Sequence, residues 1–248
     1  MPVQMRLLAL SLPVLASCFS LKAQDTARRD VLPDSKHAAI IFPYPMYKEK
    51  WRSSIGFTSI ATPEDITEEV RIRVPAIDFR VQRKITARFI ADGRINSQIL
   101  QNQFYVGVHY VHPISDQFFA SVGTDVGYWF GFLKSDDGFN SRGSGWLAYP
   151  WASIGYRSKK NLLITLKGSL SYNLQYVSYS GNEKLTSSTA FYNGEAFGIF
   201  LEQPFYHKTH IALGFSAIRN YFFWQTWALY YANDRKIFYP QITVAFIL

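Results

Sequence analysis

His109, Ser121 and Asp125 are the residues in this chain whose types could do chemistry together. A histidine base beside a serine hydroxyl, oriented by a carboxylate, hydrolyses esters when nucleophile and base come within hydrogen-bond reach. The spacing serves that purpose only if the segments Gln101 to His112 and Gln117 to Phe132 run side by side, returned by the tight connection Pro113 to Asp116. On such a hairpin all three side chains share the polar face. His109 and Ser121 lie toward the tight connection, however, far from outer-leaflet lipid. The residues therefore read as satisfied polar side chains of a closed interior, and no catalytic residue is assigned.

The elements that must position them are β-strands. From Asn161 to Ser178 the chain alternates: Leu162, Ile164, Leu166, Gly168, Leu170, Tyr172, Leu174 and Tyr176 against Thr165, Lys167, Ser169, Ser171, Asn173 and Gln175. Period-2 alternation marks a strand with one apolar and one polar face. The pattern recurs in Gln101 to His112, with Phe104, Val106, Val108 and Tyr110 against Gln103, Tyr105, Gly107 and His109, and in Gln117 to Phe132. It returns in Trp146 to Arg157, Ala190 to Gln203 and Thr209 to Arg219. The chain closes with Phe238, Ile242, Val244, Phe246 and Leu248 on one face. Repeated along a chain, this is the signature of an all-β, transmembrane, antiparallel up-and-down barrel.

Composition and the N-terminus agree. Arg6 precedes the apolar run Leu7 to Ala16, which is too short to span a bilayer as a helix and matches a signal-peptide core, so residues 1–23 are expected to be a leader. Two processing sites compete. Cleavage after Ala23 leaves Gln24 first and removes the chain's one cysteine, whereas Leu15-Ala16-Ser17-Cys18 would instead make Cys18 a lipidated residue. The chain has 20 Phe, 16 Tyr and 6 Trp, an excess suited to the aromatic girdles of outer-membrane barrels. The net charge of +8 is not gathered in one block and no recognition motif accompanies it, so nucleic acid is not expected as a partner.

Residues 24–75 read as a lead-in broken by Pro33, Pro43 and Pro45, with a possible strand at Trp51 to Ala61. Thr62-Pro63-Glu64-Asp65 then carries the signature of a short helix running to about Glu69. Residues 76–248 form the barrel. Ala76 to Phe89 is read as one strand, with Ile77, Phe79, Val81, Ile85, Ala87 and Phe89 facing lipid. Arg83 breaks that face, requiring either a bulge or a side chain that snorkels to an interface. Long external loops are expected at Lys134 to Gly145, Gly181 to Ser188 and Asn220 to Lys236. Eight strands from Ala76 satisfy the parity of single-chain bacterial barrels. Ten result if Trp51 to Ala61 joins the wall with Ala38 to Phe42 as its partner.

Inside such a barrel, Asp78, Arg80, Lys84, Arg88, His109, Asp125 and Lys167 should form a polar lumen network, joined by Glu195 or Glu202. Charges in so narrow a space must pair or suffer desolvation, so eight strands imply a filled interior and ten leave room for a small anion-selective pore. His37, His112, His207 and His210 lack carboxylates at metal-ligand spacing, so neither a metal nor a cofactor is expected. On the outside, Trp224, Trp227, Tyr230 and Tyr231 sit in a loop with more aromatics than a solvated loop needs. They belong either to the outer girdle or to a platform for a sugar or partner protein.

Gln24, the strand repeats, the Glu202-Gln203-Pro204-Phe205 turn and the alternating C-terminus resemble the small outer-membrane β-barrel proteins of Bacteroidota-type bacteria. The terminal strand departs from the usual final aromatic, placing Leu248 last and Phe246 two residues earlier. The resemblance implies an outer-membrane location, contact with lipid and lipopolysaccharide, insertion by the barrel-assembly machinery and a monomer, but no catalytic residue. A non-enzymatic structural or surface-interaction role is expected. The alternatives are a lipid A-modifying enzyme, acyl hydrolase or transferase, and the small pore. The His-x-Ser spacing of the lipid A deacylases has no match here.

Overall fold

A computed structural model describes residues 39–61, 73–98, 101–134, 140–159, 162–188, 190–206, 209–221 and 236–248. Among the described residues, eleven strands run in chain order: β1 (Trp51–Ala61), β2 (Arg73–Lys84), β3 (Phe89–Ser97), β4 (Gln101–Pro113), β5 (Phe118–Lys134), β6 (Asn140–Arg157), β7 (Leu163–Ser180), β8 (Glu183–Ser188), β9 (Phe191–Tyr206), β10 (Thr209–Asn220) and β11 (Ile237–Ile247). Each pairs antiparallel with its neighbour in sequence, except that β7 pairs with both β8 and β9. The β1–β11 ladder closes the ring. The wall therefore has ten strands, with β8 extending a hairpin above it. Closure leaves no unpaired edge in the ring, which matters for a sheet that faces lipid.

The tenth strand differs from the expected one. The stretch Ala76 to Phe89 is not one strand, because β2 ends at Lys84 and the chain reverses into β3. Ile85 and Thr86 donate their backbone N–H groups to the Phe89 carbonyl at 3.0 Å, and the Thr86 hydroxyl accepts from Arg88 and Phe89. The next short turn is built the same way. Ile114 and Ser115 donate to the Phe118 carbonyl, and the Ser115 hydroxyl accepts from Gln117 and Phe118. Ala38 to Phe42 supplies no strand among its described residues. Trp51–Ala61 does join the wall, so the barrel begins at Trp51 rather than Ala76.

Two expected loops are strand instead. Most of Lys134 to Gly145 belongs to β5 and β6, and Gly181 to Ser188 forms a turn and β8. Glu202 to Phe205 lies within β9, not in a turn; the register shift between Thr209 and His210 falls beside it. The expected helix near residues 62–69, residues 1–23 and the aromatic segment carrying Trp224, Trp227, Tyr230 and Tyr231 lie outside the described residues.

The outside of the wall is apolar. Ile55, Phe57, Ile77, Val106, Val122, Phe197, Phe215 and Ile242 are all exposed, the inverse of a water-soluble fold. Aromatic pairs mark both margins. Phe118 contacts Tyr156 and Phe89 contacts Tyr110 near the short turns, while Tyr128 contacts Trp146 near the other end. From Trp146 to Tyr156 along β6, a tilted strand rises roughly 25 Å, the height of an outer-membrane apolar band. Arg83 sits at the short-turn margin, its guanidinium 5.2 Å from the Trp51 ring centre. It takes the snorkelling solution, with no bulge in the β1–β2 register.

One greasy face does turn. The β6–β7 register shifts between Trp146 and Leu147, so that Asn173 and Gln175, not Leu174, find partners on β6. The extra residue rotates the strand by one position, and Tyr176 points inward, stacked on Trp129 at 5.9 Å.

Candidate functional site: a plugged lumen

Residues 39–46 enter the barrel at the short-turn end and fill that end. Pro43 and Pro45 cannot donate to a ladder, and the ring is already closed, so this apolar stretch has no sheet to join. Its side chains pack on inward-facing wall residues instead. Phe42 and Tyr44 meet Phe119 at ring-centre distances of 5.4 and 5.2 Å. Ile40 packs with Ala212, Ala245 and Ile247, and Met46 with Ile90 and Val111. Gly155 of β6 gives the plug room, since a Cβ there would lie 2.5 Å from the Phe42 ring.

A plug without secondary structure leaves backbone groups to satisfy. Two wall residues do most of it. The Glu202 carboxylate accepts the N–H groups of Ile40 and Ile41 at 3.0 Å and of Phe42 at 2.7 Å. Arg52 donates to the carbonyls of Ala39 and Tyr44 at 3.1 Å and Pro45 at 3.3 Å, while its Nε meets Glu49 at 2.6 Å. Gln82 donates to the Ile40 carbonyl at 3.0 Å, and Met46 donates to the carbonyl of Ala87. Glu202 is 1% exposed and Arg52 4%, so neither charge faces water and both depend on the plug.

Above the plug lies the charged network. Asp78 pairs with Arg80 at 3.2 Å and with Arg94, whose Nε lies 3.0 Å from both carboxylate oxygens. Asp92 takes the Nδ1 edge of His109 and accepts from Gln82 at 2.8 Å. Lys167 lays its ammonium on the Trp151 ring, 3.8 Å from the centre. Two cavities, of about 180 and 70 Å³, share Ile41 of the plug, Arg80, Arg94, Asp125 and Lys167 as lining.

Of the residues expected here, Asp78, Arg80, His109, Asp125 and Lys167 are brought together. Lys84 stands at the mouth, donating to the Tyr47 carbonyl at 2.7 Å. Arg88 is not in the lumen. It belongs to the β2–β3 turn and approaches the outward-facing Tyr110 hydroxyl at 3.4 Å. His109, Ser121 and Asp125 do not form the hydrolase arrangement, because the carboxylate on His109 is Asp92 and the Ser121 hydroxyl is shared with Ser153 at 2.8 Å. Glu195 lies at the far rim, bonded to Lys236 and Tyr192 at 2.5 Å. No group of three or more potential metal ligands occurs among the described residues.

Asp92 and Arg94 were not anticipated. They lie on β3, whose outward residues Phe89, Ala91, Gly93 and Ile95 include two small ones, so the alternation is faint. The legible signal was the match between Ile85-Thr86-Ala87-Arg88-Phe89 and Ile114-Ser115-Asp116-Gln117-Phe118, two turns of the same chemistry.

A closed antiparallel barrel with an apolar exterior and a polar, charge-paired interior is an outer-membrane-type β-barrel. Among solved structures, the translocator domain of the autotransporter NalP from Neisseria meningitidis is similar over 81% of this chain and 88% of its own, at TM-score 0.44 and 11% identity. The KdgM porin aligns over 78% of this chain and 98% of its own, at TM-score 0.35 and 10% identity. The P. putida toluene transporter TodX covers 85% and 74%, at TM-score 0.34 and 8% identity. These are likenesses of barrel architecture alone. No protein-family model and no curated protein matches the chain.

Proposed function

We propose that the protein is an integral outer-membrane barrel held shut by its own residues 39–46, with a structural or surface-interaction role and no enzymatic one. The apolar belt between two aromatic margins supports the location. The short turns would face the periplasm, as in bacterial barrels. The observation that carries the closed state is the double clasp of Glu202 and Arg52 on the plug backbone. Lipid and lipopolysaccharide would surround a monomer inserted by the barrel-assembly machinery, in keeping with the resemblance to small Bacteroidota-type barrels.

Single-channel recording in planar bilayers tests this reading. The refolded chain should give no discrete conductance steps. Regular steps from the wild type would overturn the closed state and favour the small anion-selective pore. A change in lipid A mass on expression in a heterologous outer membrane would favour the lipid-modifying enzyme instead. The surface role rests on the aromatic loop: Trp224→Ala with Trp227→Ala should abolish sugar or partner capture and leave assembly intact.

A further inference from the structure

We propose that the space above the plug is a binding site for a small organic acid that also carries an ammonium or hydroxyl donor, an amino or hydroxy acid. This goes beyond the closed-barrel reading, for it concerns what the lumen holds and not whether it conducts.

The inference starts from unequal matching of the lumen charges. Asp92 is engaged by His109 and Gln82. Arg80 and Arg94 both spend Nε and Nη2 on the single carboxylate of Asp78, so two cations share one anion and each guanidinium keeps Nη1 unspent among the described residues. Lys167 makes no close ion pair among the described residues and rests on the Trp151 face, with Asp125 the anion that acts on it most strongly. Asp125 likewise makes no close ion pair, its carboxylate lying over Gly107, where a Cβ would come within 2.0 Å of Oδ1. Arg80, Arg94, Asp125 and Lys167 line both cavities.

Charges held away from bulk water require partners. Arg80 and Arg94, two guanidiniums on one carboxylate, can take a second carboxylate together with Lys167, and Asp125, whose strongest opposite charge is Lys167, can then take a donor on the same molecule. Tyr105 and Tyr149, packed at 5.7 Å, supply apolar surface for the carbon skeleton between them. A cavity of about 180 Å³ suits a ligand of roughly six to ten non-hydrogen atoms, judged against the 150 Å³ cavity that holds benzene.

L-glutamate and glutarate are probes that differ by the ammonium group. Isothermal titration calorimetry of the full chain refolded in detergent should show saturable binding of both, with glutamate several-fold tighter. Lys167→Gln should weaken both at least tenfold, and Asp125→Asn should erase the preference while keeping glutarate binding. Ser169→Phe should block both by filling the larger cavity from β7 with every charge retained. It serves also if the charge variants do not fold, as judged by cold against boiled gel mobility. Absence of saturable heat, equal wild-type affinity for the two probes, or binding unchanged in Lys167→Gln or Ser169→Phe would overturn the proposal.

Discussion

Glu202 carries an unusual burden for one side chain, since three consecutive plug amides have it as their acceptor. Truncation to Ala would strand buried donors, each at about 1–3 kcal/mol. The loss cannot exceed what docks the plug, because the segment can leave and regain water. Glu202→Ala should therefore lower barrel stability by only about 2–3 kcal/mol while exposing residues 39–46 to protease, measured by urea unfolding in detergent and limited proteolysis. Asp78 differs, as it is 2% exposed and has no exit. Asp78→Ala leaves two guanidiniums against each other in the lumen and should cost about 3–5 kcal/mol. Replacing Asp78 and Arg94 together by Leu should recover part of that loss in the same unfolding assay.

At the scale of elements, the two faces of a strand make opposite demands. Val106 is 69% exposed in the middle of β4. In lipid, Val106→Arg should cost about 2–4 kcal/mol of folding free energy, whereas on a water-facing sheet the same change would be nearly neutral. Unfolding of the refolded barrel in phospholipid vesicles measures the difference, and a neutral result would remove the membrane reading. Gly155 makes a demand of the second kind. Its missing side chain is the space taken by Phe42 and Pro43. Gly155→Leu should keep the β5–β6–β7 ladders and expel the plug, read as new conductance steps with unchanged circular dichroism.

For the whole molecule, closure by the β1–β11 ladder should make the fold resist detergent until boiled. Unboiled protein is expected to migrate differently from boiled protein on a gel, with a β-rich spectrum. Unchanged mobility together with a detergent-independent fold would point to a secreted sandwich. Deleting residues 39–46 from the otherwise intact chain should leave that heat-dependent shift in place and open the lumen, because the plug contributes no strand to the ring.

The alternation of apolar and polar residues by itself determined the barrel, its outward faces and most of its polar interior, because side-chain direction in a strand follows the sequence period alone. Strands β4, β5, β10 and β11 were legible residue by residue for that reason. Where a turn lacked Gly, Pro, Asn or Asp, as at Ile85 to Arg88, or where outward positions were small, as at Ala91 and Gly93, the period continued or faded and one hairpin was lost. Only the tertiary structure decided the rest: that Tyr176 turns inward after one extra residue, that Asp92 and not Asp125 meets His109, and that an apolar segment resembling a strand is the plug. Each depends on which distant strands become neighbours when the ring closes, and no local pattern encodes that closure.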